Sequence, residues 1–109
     1  SLHDALPIYN LISKTNRTEN ELTVLSLNFL EQYVSFLIDS DIIYKIDISR
    51  KYINLIIKGN CNILEFILDL RTNWSKSEVN KEIYIEHIMV IENKLEIQFR
   101  PTNNKLFLK

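Results

Sequence analysis

Two residues could supply the chemistry of a thiol enzyme, the single cysteine Cys61 as the nucleophile and His87, one of two histidines, as the base. A cysteine in the first turn of a helix has a lowered thiol pKa, because the helix dipole stabilises the thiolate, and the sequence predicts such a helix around Cys61. A thiol enzyme also needs a base in reach of the thiol and a group that orients the base. Nothing in the spacing brings Cys61 and His87 together. The simpler interpretation is a half-buried thiol and an edge-strand imidazole, with a thiol enzyme as the alternative.

Paired carboxylates stand at helical spacing in two places, Glu65 with Asp69 and Glu78 with Glu82. Glu65 and Asp69 are expected on the exposed face of a predicted helix, where solvated charges are the default, whereas Glu78 and Glu82 stand in a segment with only weak helical signals, so neither pair indicates acid–base chemistry. A structural zinc site needs four Cys or His ligands at short spacings, whereas the sequence after residue 8 has only Cys61 and His87, which are 26 positions apart. Phosphate-binding loops need several glycines, and the chain has one. The sequence therefore predicts no catalytic residues, no metal site and no cofactor, and a protein that is not an enzyme.

Residues 1–8 differ in composition from the rest of the chain, since they contain its only alanine and one of its two prolines. They can be encoded by the 3′ end of a widely used short-read sequencing adaptor. We therefore interpret residues 1–8 as adaptor read-through and not native sequence, and we exclude them from the fold. The native sequence is expected to start near Tyr9 and to lack its true amino terminus. Without Asp4, the formal net charge of −1 becomes zero.

The composition is typical of one domain with a hydrophobic core: 109 residues, of which 46% are hydrophobic and 25% charged. Ile, Asn, Lys, Phe, Tyr and Met, whose codons are AT-rich, supply 49 residues, whereas Gly, Ala, Arg and Pro supply 8. This bias indicates an AT-rich genome. The sequence has no apolar run long enough to span a membrane, and the single cysteine favours a reducing, cytoplasmic location.

Two helices are predicted from apolar residues at helical spacing. The first covers residues 19–38 and begins with a capping box, Thr18 followed by Glu21. A strand over Leu22–Leu27 followed by a shorter helix is the alternative, because Thr and Val favour strands. The second helix is predicted to be capped by Asn60. Its buried stripe consists of Ile63, Phe66, Ile67, Leu70 and Trp74.

Each helix is followed by two segments in which apolar and polar residues alternate, the pattern of β-hairpins. The first hairpin pairs residues 42–48 with residues 52–58. The second pairs Ile83–Ile91 with residues 95–100 through a turn at residues 92–94. Pro101 cannot extend a strand ladder, so a single α+β domain is expected to cover residues 9–101.

Residues 102–109 then form a flexible basic tail, in which Leu106 and Phe107 are possible docking residues. The predicted fold class is α+β: a helix–hairpin–helix–hairpin order, with a four-stranded antiparallel sheet and both helices packed on one face. The residues expected at the centre of the core are Ile46, Ile48, Ile53, Leu55, Phe66, Ile67, Leu95 and Ile97.

The sheet face opposite the helices is predicted to mix isoleucine and tyrosine with charged residues, which is typical of a face covered by a partner. The candidate partner face consists of Ile43, Lys45, Tyr52, Ile56, Lys58, Tyr84, Ile88 and Arg100. We expect a small interaction module, of a regulatory or toxin-neutralising type, that binds a protein partner through a sheet face or edge, or pairs as a homodimer. The alternative is a single-strand RNA- or DNA-binding domain that stacks bases on Tyr52 and Tyr84, although a net charge of zero disfavours nucleic acid.

Overall fold

The computed structural model of the chain describes residues 17–35, 42–59 and 62–108. The predicted adaptor segment 1–8 and Cys61 lie outside the described residues, so the interpretations placed on them stay predictions. In chain order, the elements are α1 (Glu19–Ser35), β1 (Ile42–Ile48), β2 (Ile53–Gly59), α2 (Ile63–Lys76), β3 (Ile83–Ile91) and β4 (Lys94–Pro101).

Helix α1 begins at the predicted cap. The N–H of Glu21 donates to Oγ1 of Thr18 at 3.1 Å, and the Thr18 hydroxyl donates to the Glu21 carboxylate at 3.0 Å. Leu22 and Leu30 are fully buried on its inner side. The helix is therefore confirmed, and the alternative strand over Leu22–Leu27 is wrong. Its predicted last turn, residues 36–38, lies outside the described residues.

Helix α2 begins later than predicted. Its N-cap is Asn62, whose side-chain oxygen accepts the N–H of Glu65 at 3.1 Å, whereas Asn60 lies outside the described residues. The helix ends at Lys76, and the N–H of Ser77 donates to the Trp74 carbonyl at 3.0 Å. The predicted stripe is confirmed: its buried members are Phe66 and Leu70, and its half-buried members are Ile63, Ile67 and Trp74.

The four strands form one antiparallel sheet in the order β1-β2-β4-β3. The two hairpins therefore meet through β2 and β4, whose facing residues include the fully buried pair Leu55 and Ile97. The buried residues of α1 and α2 belong to the same core cluster as alternate residues of β2 and β4. Both helices thus cover one face of the sheet, and the predicted α+β class is confirmed.

The predicted core is largely correct. Of its eight residues, Ile53, Leu55, Phe66, Leu95 and Ile97 are buried, and Ile46, Ile48 and Ile67 are half-buried against the same cluster. The structure adds Ile57 and Phe99, which continue the inward alternation of β2 and β4, and Val79, which lies in the turn after α2.

The segment after Pro101 belongs to the domain. Asn103 and Asn104 both have φ of 57°, a left-handed conformation that asparagine tolerates, and they reverse the chain. Phe107 then returns to the core with 0% of its surface exposed, and its N–H donates to the Arg50 carbonyl at 2.7 Å. This corrects the predicted domain end at Pro101 and the predicted flexible tail: the segment carries a large aromatic side chain that the core encloses.

Tyr33 links the two helices. Its ring packs edge-on against Phe66 at a centroid separation of 5.5 Å. Its hydroxyl lies within hydrogen-bond distance of the Asp69 carboxylate, at 3.1 Å, and of the Phe66 carbonyl, at 3.4 Å. Burial raises the pKa of the Tyr33 hydroxyl far above its ordinary value, and the neighbouring Asp69 carboxylate raises it further. The protonated phenol is therefore the form that the fold stabilises.

This raised pKa predicts a loss of stability in alkali. The unfolded chain gives up the Tyr33 proton near pH 10, whereas the folded protein keeps it. The hydroxyl therefore makes its full contribution to the free energy of unfolding below pH 10. This contribution is lost as the pH rises towards the pKa of Tyr33 in the folded protein. We expect Tyr33→Phe to cost roughly 1 kcal/mol at pH 8 and less at pH 11, as measured by urea unfolding. An equal cost at both pH values would contradict the assignment.

Candidate functional site

The candidate site is the sheet face opposite the helices, which we call the outer face. Its residues alternate with the core residues along each strand, so the strand register defines it. From β1 and β2, the outer face takes Ile43, Lys45, Asp47, Asn54, Ile56 and Lys58; from β4 and β3, it takes Lys94, Glu96, Gln98, Arg100, Tyr84, His87, Met89 and Ile91.

A β-bulge in β3 changes which of its residues reach the outer face. Ile85 pairs with Phe99, but the next pair of the ladder is His87 with Gln98, so Glu86 is an extra residue in β3. Before the bulge the odd-numbered residues of β3 lie on the helix side of the sheet, and after it the even-numbered residues do. Ile88 therefore pairs with the buried Ile97 and packs against the core. This corrects the prediction that Ile88 belongs to the partner face.

The bulge also adds residues that the sequence interpretation missed. Met89 and Ile91 follow Ile88 at odd positions, and both lie on the outer face because of the shift. The sequence carried a signal for this. Glu86 and His87 are two adjacent polar residues in an otherwise alternating strand, and a break of this kind marks either a bulge or a change of face.

Large apolar side chains are exposed across the outer face. The exposed fraction is 73% for Ile43, 56% for Ile91, 41% for Tyr84 and 40% for Met89. Ile43 lies at one edge of the sheet and the other three lie at the opposite edge, with half-buried Ile56 between them on β2. Exposed apolar groups spread over one sheet face and separated by charges are typical of an interaction surface.

One end of the outer face is a shallow basic groove. It has a volume of about 320 Å³ and is lined by Ile43, Tyr44, Lys45, Ile56, Lys58 and Lys94. The Lys45 ammonium lies 3.3 Å from Asp47, and that of Lys94 lies 4.0 Å from Glu96. Lys58 has no salt bridge among residues 17–35, 42–59 and 62–108. This groove therefore combines two isoleucines with a positive charge that the described part of the protein leaves unbalanced.

The other end of the outer face holds the predicted tyrosines, but it does not form a basic stacking platform. Tyr84 pairs with Arg100, and the guanidinium of Arg100 and the amide of Gln98 both donate to Glu86. Tyr52 lies half-buried in the turn before β2, and its N–H donates to the Ser49 hydroxyl at 3.2 Å. Strand β4 separates β2 from β3, so these two strands are about 10 Å apart. Arg100 is on β4, between the two tyrosines, and Glu86 neutralises its charge.

The described residues contain no group of three metal-ligating side chains, and neither described helix is long and apolar enough to cross a membrane. His87 faces outwards from β3 opposite Gln98. Comparison of the chain with protein-family models, with curated proteins and with solved structures finds no match. The class that the structure defines is thus an α+β domain with a mixed apolar and charged sheet face, and its function is argued from that face.

Proposed function

We propose that the protein is a small, non-enzymatic interaction module that binds a protein partner through its outer face. The observation that carries this proposal is the exposure of Ile43, Ile91, Met89 and Tyr84 on a face that the helices leave open. Regulatory or toxin-neutralising proteins are the type that this role suggests, by analogy of fold and size alone. We place the module in the cytoplasm, because a single cysteine suits a reducing compartment.

The arrangement of the outer face favours protein over nucleic acid as the partner. Phosphate backbones require a surplus of cations along the contact surface, whereas Arg100, Lys45 and Lys94 each lie near a carboxylate of the same face. Protein–protein interfaces combine an apolar centre, enriched in aromatic residues and methionine, with a polar rim, and the exposed Tyr84 and Met89 of this face are residues of that kind. The proposed partner is therefore a folded protein or a peptide with its own apolar anchors.

The basic groove suggests the chemistry of that partner. Ile43 and Ile56 form an apolar floor, and Lys58 supplies a charge without a salt bridge within the described residues. An apolar anchor flanked by carboxylates would fill this groove and neutralise the lysine. Opposite charges across an interface mainly raise the association rate and fix the orientation, so binding is expected to weaken as the salt concentration rises.

Replacing Ile91 with aspartate should weaken partner binding at least about tenfold, because it removes an apolar contact and adds a charge that an acidic partner repels. Ile91 is 56% exposed, so the fold should tolerate the change. The measurement has two stages. The partner is captured on immobilised protein from cells of the source organism, and its affinity for the purified wild type and variant is then measured by calorimetry.

The matched control is Leu68→Asp, which changes a residue of similar exposure, 59%, on α2. The proposal requires Leu68→Asp to bind like the wild type. If Leu68→Asp abolishes binding and Ile91→Asp does not, the interface lies on the helices. If the captured molecule is a nucleic acid whose retention falls with Tyr52→Ala and Tyr84→Ala, the protein proposal is replaced by the nucleic-acid alternative.

A further inference from the structure

Within the described part of the chain, strand β1 is an edge of the sheet, and one row of its backbone groups has no strand partner. Among the described residues it pairs with β2 alone. The N–H of Ser49 donates to the Tyr52 carbonyl at 2.9 Å, so these two residues form a hydrogen-bonded pair of the hairpin. Hydrogen-bonded and non-hydrogen-bonded pairs alternate along an antiparallel ladder, so this bond identifies the β1 residues that bond to β2. The backbone N–H and C=O groups of the odd-numbered β1 residues therefore point towards β2. Those of Tyr44 and Ile46 point away from β2, towards the edge of the sheet.

The two edges of the sheet differ in their suitability for further pairing. Strand β3 contains the bulge at Glu86, which interrupts its ladder and is a common protection against edge-to-edge association. Strand β1 has seven consecutive register pairs with β2 and no interruption. Its sequence, IIYKIDI, is rich in isoleucine and contains no proline or glycine. The β1 edge is thus the edge without a bulge, and its backbone geometry is suited to the addition of another strand.

The charges of β1 are complementary to those of a second β1 strand. Lys45 and Asp47 flank Ile46, and their side chains project from the outer face with 70% and 47% of their surface exposed. When two copies of β1 pair antiparallel with Ile46 opposite Ile46, Lys45 of each copy lies opposite Asp47 of the other. Directly opposite side chains have Cβ atoms about 5 Å apart, so both lysine–aspartate pairs are within reach of each other.

Other antiparallel registers lose this complementarity. A register centred on Lys45 places Lys45 opposite Lys45 of the second copy, and one centred on Asp47 places two aspartates together. A register centred on Tyr44 sets Lys45 against Ile43, and one centred on Ile48 sets it against Lys51. Like charges directly opposite each other are unfavourable. The register centred on Ile46 therefore has the best charge match of the five.

We propose that the partner at the β1 edge is a second copy of this chain, paired antiparallel in the register centred on Ile46. The twofold axis passes through the sheet at Ile46 and joins the two sheets into one of eight strands, with the helices of both copies on the same side. This inference goes beyond the proposed function, because it concerns the edge of the sheet and leaves the outer face of each copy open to a different protein.

The test uses two charge variants of the full chain, Lys45→Asp and Asp47→Lys. Each places like charges opposite each other in both pairs of the homodimer, so its dimer dissociation constant should rise at least about tenfold above that of the wild type. An equimolar mixture of the two variants restores both opposite-charge pairs, and it should form a heterodimer about as tight as the wild-type dimer. Sedimentation velocity over a concentration series measures all three.

The matched control is Lys81→Asp, the same substitution at an exposed lysine in the turn before β3, away from the β1 edge and outside the basic groove, and it should dimerise like the wild type. Circular dichroism establishes that each variant is folded. A wild type that stays monomeric throughout the series, variants that dimerise as well as the wild type, or a mixture that stays monomeric would each overturn the proposal. Because no other protein is present in the experiment, these outcomes do not bear on partner binding at the outer face.

Discussion

Replacing Phe107 with alanine is expected to destabilise the protein by about 3–5 kcal/mol, the usual cost of removing a buried aromatic ring from a core. Phe107 has 0% of its surface exposed and belongs to the main core cluster. Two hydrogen bonds hold its segment: its own N–H donates to the Arg50 carbonyl, and the N–H of Leu108 donates to the Thr23 hydroxyl at 2.8 Å. The ring is thus fixed against the first hairpin and α1 and cannot leave without opening a cavity.

Urea unfolding of the wild type and of Phe107→Ala measures this cost. Leu108→Ala is the control, because Leu108 is the next residue and 49% of it is exposed, so its loss should cost no more than about 1 kcal/mol. A Phe107→Ala variant as stable as the control would mean that residues 102–108 contribute little to the core, and the predicted flexible tail would then be correct.

The second large effect is expected at a buried ion pair. Arg17, just before α1, donates to Glu82 in the turn before β3, and only 8% and 5% of their side-chain surfaces are exposed. Arg17 also reaches Glu78 at 3.1 Å, and the ammonium of Lys105 lies 3.9 Å from Glu82. The pair therefore fastens the start of α1 to the turn that leads into the second hairpin.

We expect Arg17→Met to cost about 3–5 kcal/mol, because it leaves the Glu82 carboxylate buried with Lys105 as its nearest described cation. The double variant Arg17→Met/Glu82→Gln removes the uncompensated charge, so it should be more stable than Arg17→Met alone. Urea unfolding of the single and double variants gives the coupling free energy. Costs that simply add would show that the two side chains act independently.

Local patterns in the sequence predicted the elements well. The alternation of apolar residues in β1, β2 and β4 defined both hairpins, since a half-buried strand imposes a period of two. The capping pair Thr18 and Glu21 marked the start of α1, and it corresponds to two hydrogen bonds in the structure. These features depend on residues a few positions apart, and such interactions can be recognised in a single sequence.

Features that depend on distant residues were predicted poorly. The bulge at Glu86 depends on how β3 pairs with β4. Because of it, Ile88 faces the core and Met89 lies on the outer face. The burial of Phe107 depends on the turn at Asn103 and Asn104 and on an acceptor at Arg50. The sequence could identify Phe107 as a docking residue, but it could not show that the core has a place for it.

The candidate site was predicted only in part, because strand alternation is a local pattern whereas the bulge in β3 depends on distant residues. Ile43, Lys45, Ile56, Lys58, Tyr84 and Arg100 lie on the outer face as expected. Tyr52 lies in the turn beside it. The chemistry of these residues is non-specific, since isoleucine, lysine and tyrosine occur in many interfaces. Their identity therefore supports the proposal of a binding role without specifying the partner, and the proposal of an acidic, apolar partner depends on the groove around Lys58.

Backbone amide chemical shifts can show directly whether the outer face is the surface that binds the partner. They are recorded on the isotopically labelled protein before and after addition of the captured partner. Binding through the outer face should produce the largest changes at outer-face residues around the groove and on β3, including Ile43, Ile56, Lys58, Met89 and Ile91. Changes concentrated instead on Leu64 and Leu68 of α2, with the strand residues unaffected, would contradict it.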